Sequence, residues 1–499
     1  MTLPHRASPA PDSDPAQGDR LTPAPLGALL CAPGEIFDAD AVRAALDRAA
    51  RDERDPARLR NAAVRLLREA NAQGRACIAD AFADDPFAAR PLTRSYTYLT
   101  DGLVTAALHM ATRHLHPAPE DEPPLSLIAV GGYGRGEMAP FSDVDLLFLT
   151  RDRITPWAES VIEAMLYILW DLKLKVGHAS RTIRDCIKLG GEDFTIRTAL
   201  LEHRFLAGDP DLAGLLDRRL RDELFSGTGR DFVEAKLAER DARHVKQGER
   251  YMVEPNVKEG KGGLRDLQSL FWIAKHTHDV QEAAQLVSAG FLQADEFDTF
   301  VQAENFLWAV RAHLHLITGR PTEQLTFDMQ VEVADRMGYK DSAGRRGVEL
   351  FMQDYFRQAT SVGDLTRIFM TKLEAEHLKS EPLLERIFRR KPKVRPGYEV
   401  IGNRLAIADP QAFLADKLNL LRLFEEGLRT GMLIHPDAMR LVTANLDLID
   451  DGMRNDAEAQ RLFLDLLLKH GNPERALRRM NELGVLSAFV PEFEPIVAM

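Results

Sequence analysis

Cysteine is scarce: Cys31, Cys77 and Cys186 are the only three in 499 residues. They are odd in number and far apart, which excludes a disulfide framework and a CxxC zinc site as organising features. A reducing, cytoplasmic home is the expectation that follows. Positive charge is also in deficit, with Lys+Arg 64 against Asp+Glu 76 and a net charge of -12. Sequence-independent nucleic-acid binding depends on basic residues that neutralise phosphates, so no nucleic-acid partner is expected. No apolar run approaches the roughly 20 residues that cross a bilayer, so no membrane partner is expected either. The first residues, MTLPHRASPAPDSDPAQGDR, lack the apolar stretch of a secretory signal. Rich in Pro, Ala and Asp, residues 1–25 read as a disordered leader.

What remains is the composition of a soluble globular protein, 45% hydrophobic and 28% charged. The length calls for two or three domains. Residues 26–120 carry apolar positions at i, i+3, i+4 spacing and read as a helical region. PAPEDEPP breaks that pattern. Residues 121–215 then read as strand LSLIAV, loop GGYGRGEMAPFS, strand DVDLLFL, helix Trp157–Asp171 and a strand in KLKVGHASRT. In that last segment Leu172, Leu174 and Val176 alternate with polar residues. From about Asp193 onward the reading is mostly helical. It divides into a helical domain over 216–385, a basic, Pro-containing linker over 386–410 and a further helical segment over 411–499. The fold class expected is α+β: a small mixed-sheet core flanked by large helical domains.

The chemistry concentrates between Gly131 and Asp145. Gly132-x-Gly134-x-Gly136 alone suggests a dinucleotide loop, but that motif needs a helix opening directly after its glycines. Here the chain runs on to Pro140 and a strand. In a strand, residues i and i+2 share a face, so Asp143 and Asp145 project together while Val144 and Leu146 turn into the core. Two adjacent carboxylates repel unless a cation lies between them, and hard oxygen ligands suit Mg²⁺ or Mn²⁺. Gly131 and Gly132 let backbone N–H groups approach a triphosphate, and Ser142 offers a hydroxyl. A phosphate loop joined to a two-carboxylate metal site suits attack on an α-phosphorus.

GGYGRGEMAPFSDVDLLFL resembles the signature of the polymerase β-type nucleotidyltransferase superfamily. More narrowly, it resembles the bifunctional uridylyltransferase/uridylyl-removing enzymes that act on the nitrogen regulatory protein PII. VEPNVKEGKGGLRDLQSLFWIAK, FLWAVRAHLHLITGRPTEQLTFDMQ, VELFMQDYF and MNELGVLSAFVPEFEPIVAM resemble further blocks of that family, in the same order. The resemblance implies a polymerase β-type core and transfer of UMP from UTP to a PII tyrosine, with release of pyrophosphate. It implies that Asp143 and Asp145 hold the metal ions and that Gly131 and Gly132 line the triphosphate.

The superfamily supplies a third carboxylate from the next strand, but here that strand offers only His178, Ser180 and Arg181; Asp185, Asp193 and Glu202 lie farther on as candidates. Lys258 and Lys261, in a second glycine-rich segment before a helix, are candidate nucleotide contacts, with a turn and helix cap as the alternative. Arg311 and His315 share a helix face and His313 points elsewhere, so a structural role is expected for both histidines. The family continues into an HD-type phosphohydrolase domain and two ACT domains. The His278-Asp279 pair lacks a spaced metal set, and 411–499 reads as the lead-in to an HD-type domain that is missing here. The uridylyl-removing activity and glutamine sensing are therefore expected to be absent. A protein adenylyltransferase and a non-catalytic nucleotide- or PII-binding module remain open beside the uridylyltransferase reading.

Overall fold

Helix signals written into the first hundred residues are used as such. Asp38 and Asp55 accept from the N–H groups of Ala41 and Arg58, capping helices Ala39–Asp52 and Pro56–Asp84. Helix Ala89–His109 is buried almost all round from Leu92 to Leu108, as a central helix must be. It carries buried Thr97, Thr100 and Thr105, and each hydroxyl donates to the carbonyl four residues back. In this computed structural model the described residues are 27–247, 252–342, 344–379, 394–401, 404–469 and 473–493; the expected leader falls outside them. The chain divides into two compact units. One comprises Met1–Ala235, Trp308–Glu323 and Arg336–Gly338; the other comprises Lys236–Leu307, Gln324–Asp335 and Tyr339–Met499.

The first unit is built on a four-stranded sheet of β1 (Leu125–Ala129), β2 (Val144–Thr150), β3 (Val176–Thr182) and β4 (Arg204–Gly208), in the order β3-β2-β1-β4. β1 and β2 are antiparallel, with Ala129 opposite Leu146, and β4 runs antiparallel along the other side of β1. β2 and β3 are parallel, which requires a crossover, and helix Pro156–Asp171 supplies it. On one face Leu147 and Leu149 pack with Ile128 against Ile183, Cys186, Leu212 and Leu216. Val144, Leu146 and Phe148 are buried on the opposite face.

Three local expectations need correction. Leu172 and Leu174 do not belong to β3. Leu172 caps the crossover helix, Lys173 takes a left-handed turn at φ 63°, and the strand begins at Val176; apolar helix-end residues imitate strand alternation there. RFLAG, expected as helix, is β4, because pairing with β1 outweighs the helical preference of its Leu-rich neighbours. Within the stretch expected as a linker, β5 (Tyr398–Ile401) and β6 (Arg404–Ile407) pair antiparallel, and β7 (Leu433–Ile434) joins β6. YEVI and RLAI are only four residues each, too short for a periodic signal to stand out beside the basic Pro-containing run.

In the second unit this small sheet adjoins a helical core of Leu420, Leu421, Phe424, Met439, Leu462 and Met480, among others. No helix of the described residues is long and apolar enough to cross a membrane. All three cysteines are free thiols.

Candidate active site

Between β1 and β2 the chain makes one helical turn, Gly131–Gly134, rather than an open loop. Gly131 takes φ 59° to enter it. The first N–H groups of a helical turn have no intrahelical acceptor, so Gly131 and Gly132 present theirs outward. At the far end the Arg135, Gly136 and Glu137 N–H groups donate to the carbonyls of Gly131, Tyr133 and Gly132. Gly134 is there for contact: a Cβ at this position would lie 1.8 Å from the Glu202 carbonyl oxygen. The backbone of the residues before β4 therefore presses directly against the turn.

Two partly buried arginines brace this turn. Arg135 lies between Glu202 and Glu137, with its Nε 2.8 Å from Glu137. Burial alone would lower its pKa, but the two carboxylates outweigh burial and raise it. Arg204 makes a paired contact with buried Asp101, at 2.9 and 3.0 Å. It also reaches the carbonyls of Gly134 and Tyr133 at 3.3 Å. The Tyr133 ring is fully enclosed; burial and the nearby Asp101 push its hydroxyl pKa well up, so it stays a neutral phenol.

The approach to β2 is held in the same way. Arg75 donates to the Pro140 carbonyl at 2.7 Å and stacks over the Phe141 ring. The Phe141 N–H donates to Nδ1 of buried His315 at 3.3 Å, and Arg311 grips Glu323 beside it. His313 turns away, stacked on Phe82 and bonded to the Pro86 carbonyl. Both histidines are thus structural, as their spacing suggested. The Ser142 oxygen accepts from the Ala139 N–H at 2.9 Å, so in this state it closes the turn ahead of Asp143.

Asp143 stands exposed just before β2 and pairs with Lys175 at 3.0 Å. Asp145, within β2, lies in register opposite Gly177. A Cβ on Gly177 would sit 2.4 Å from Asp145 Oδ1, and one on Gly131 would sit 3.5 Å from Oδ2. The carboxylate is therefore seated between the glycine that opens the helical turn and a strand glycine that leaves it room. The donor chemistry is that of a hard divalent cation: two carboxylates two residues apart in sequence, the first of them paired with a mostly exposed lysine able to withdraw.

β3 carries no acid, and the more distant candidates are otherwise engaged. Asp185 and Thr182 form a capping box, Asp193 caps helix Phe194–Leu201, and Glu202 is held by Arg135. Lys258 and Lys261 belong to the second unit, in a turn organised by its backbone. There Asn256 accepts from the Lys258 and Glu259 N–H groups, and Asp266 accepts from Gly262. Asp266 also binds Arg243 and His244; burial would raise its pKa, but these partners hold it below the usual carboxylate range.

Comparison with known proteins matches three stretches of the chain. The model of the putative nucleotidyltransferase family DUF294 matches residues 73–174. The model of the GlnD PII-uridylyltransferase matches 231–370, and that of the uridylyltransferase GlnD third domain matches 398–489. Two models of GlnD uridylyltransferase domains thus match this chain one after the other. A bifunctional uridylyltransferase/uridylyl-removing enzyme from Ruegeria pomeroyi is 72% identical over 93% of this chain and 51% of its own length. Its counterpart from Cereibacter sphaeroides is 60% identical over 99% of this chain and 53% of its own length. That from Phenylobacterium zucineum is 49% identical over 88% and 48%. The chain thus spans about half the length of the curated relatives it matches. The α+β architecture expected from sequence agrees with the nucleotidyltransferase match and with the structure. The third-domain match begins inside the stretch expected as a linker, in accord with the strands found there.

Proposed function

We propose that this chain is a nucleotidyltransferase that moves UMP from UTP to a tyrosine hydroxyl of the nitrogen regulatory protein PII. The observation that carries the reading is the seating of Asp145 between Gly131 and Gly177, with the exposed carboxylate of Asp143 two residues earlier, just before the strand. In this account the Gly131 and Gly132 N–H groups bind the phosphates, and Asp143 and Asp145 hold Mg²⁺ or Mn²⁺ once Lys175 withdraws. The tyrosine oxygen forms a bond to the α-phosphorus, the bond from that phosphorus to the bridging oxygen breaks, and pyrophosphate leaves. The phenol has an ordinary pKa near 10 and must lose its proton on the way. The bound cation supplies charge neutralisation at the phosphates and favours the phenolate. Arg135 and Arg204 position the turn from behind.

One observation favours a second reading. β3 brings no acid toward Asp145 and Glu202 is committed to Arg135, as in a module that binds nucleotide without turnover. Incubating the chain and PII with α-labelled UTP or ATP tests both. Label on PII from UTP alone supports the proposal. Label from ATP alone assigns an adenylyltransferase, and nucleotide bound without transfer assigns the binding module.

A further inference from the structure

Helix Ala89–His109 does not stop at a conventional cap but widens into a π-helical turn, Met110–Leu115, in which the His116 N–H reaches back five residues to the Ala111 carbonyl. In a regular α-helix two residues five apart point about 140° away from each other. The wider turn brings His114 round to the side of His109, with ring centroids 5.3 Å apart. Both Nε2 atoms then converge on one oxygen of Asp47, from helix Ala39–Asp52, at 2.8 and 2.7 Å. The three candidate ligand atoms all lie within 4.8 Å of one another. Tetrahedral zinc ligands bound at about 2.0–2.1 Å stand about 3.3 Å apart, so small side-chain movements suffice to surround an ion.

We propose that Asp47, His109 and His114 form a second metal site, separate from the Asp143/Asp145 pair, for a transition-metal dication of the Zn²⁺ class. Two imidazoles and a carboxylate are the ligand chemistry of such ions, whereas the all-oxygen Asp143/Asp145 pair suits Mg²⁺ or Mn²⁺. Binding moves the proton of each neutral ring from Nε2 to Nδ1 and turns the Nε2 lone pair to the metal. His109 also lines a cavity of about 500 Å³ with Thr112, Glu122 and Trp157. A water or a small anionic ligand would complete the tetrahedral set at the fourth position. The bound ion ties helix Ala39–Asp52 to the end of the central helix, so it acts as a clamp on the first unit.

Cobalt(II) is the probe. The full chain carrying Asp143→Ala and Asp145→Ala, which removes the hard-ligand site, is titrated with Co²⁺ and followed by visible absorption. The expected result is one equivalent bound with the intense bands of tetrahedral cobalt, displaced by Zn²⁺. Those bands are lost when Asp47→Asn or His114→Gln is added, the two least buried ligands being changed so that the fold survives. Zn²⁺ raises the unfolding temperature of the parent and not of these two variants. Absence of tetrahedral bands in the folded parent overturns the proposal, as do bands unchanged in both variants. Bands accompanied by thiolate-to-cobalt charge transfer overturn it as well, since they place the metal on cysteine.

Discussion

Gly177→Ala isolates the seating of Asp145. The added Cβ would lie 2.4 Å from Asp145 Oδ1, whereas ordinary contacts begin at 3.4 Å, so the carboxylate must shift by about 1 Å. A displacement of that size at a reacting centre costs on the order of 10²-fold in rate. The obstructed atom ends a short side chain and is not backbone, so the strand itself has no need to move. Alanine is also the better strand residue, by about 0.5–1 kcal/mol. The variant is therefore expected to fold with unchanged or slightly higher stability and to turn over on the order of 10²-fold more slowly. The assay is initial-rate pyrophosphate release at saturating UTP and PII, with urea unfolding in parallel. Wild-type turnover in a folded Gly177→Ala protein would refute the claim that this glycine holds Asp145 in its working position. Loss of folding would show that the glycine serves the backbone instead.

Two further outcomes concern the supporting framework. Arg204→Leu removes the partner of Asp101, whose side chain is only 3% exposed, and leaves a buried carboxylate without compensation. A loss of about 3–5 kcal/mol is expected by urea unfolding, with Arg204→Lys recovering only part because it cannot repeat the paired contact. His313 is buried and its pKa is lowered to about 4, chiefly by burial, with the Pro86 carbonyl opposing and Arg336 assisting. Between about 6.5 and about 4 the unfolded chain binds a proton that the native ring does not, so stability falls as pH drops through that window. The loss is about 2 kcal/mol by pH 5 and about 3 kcal/mol near pH 4. Urea midpoints at pH 7 and pH 5 check it, and His313→Phe is expected to flatten the difference.

The glycine turn and the Asp143/Asp145 pair were legible in the sequence because they lie within fifteen consecutive residues, at the junction of a loop and an apolar strand. The residues that hold them were not. Arg75, Asp101, Arg204 and His315 come from distant helices and from β4; His315 reaches Phe141 across 174 residues. No local period announces such a pairing. Gly177 has no distinguishing neighbour within KVGHASRT, and its role appears only once β2 and β3 are placed in register. β4 was missed for a related reason: five residues beside a Leu-rich helix show their strand character only through pairing with β1. Asp47, His109 and His114 were likewise hidden, since a spacing of five residues predicts divergence unless the helix widens.

The central claim is that Asp143 and Asp145 hold the metal for nucleotidyl transfer to PII. It is tested most directly by pyrophosphate release from UTP with Mg²⁺ or Mn²⁺ and purified PII, comparing the chain with its Asp143→Ala/Asp145→Ala form. The account predicts release that requires PII and vanishes in the double variant while UTP still binds. Release that survives the double substitution, or UTP binding with no release from the unaltered chain, would contradict it.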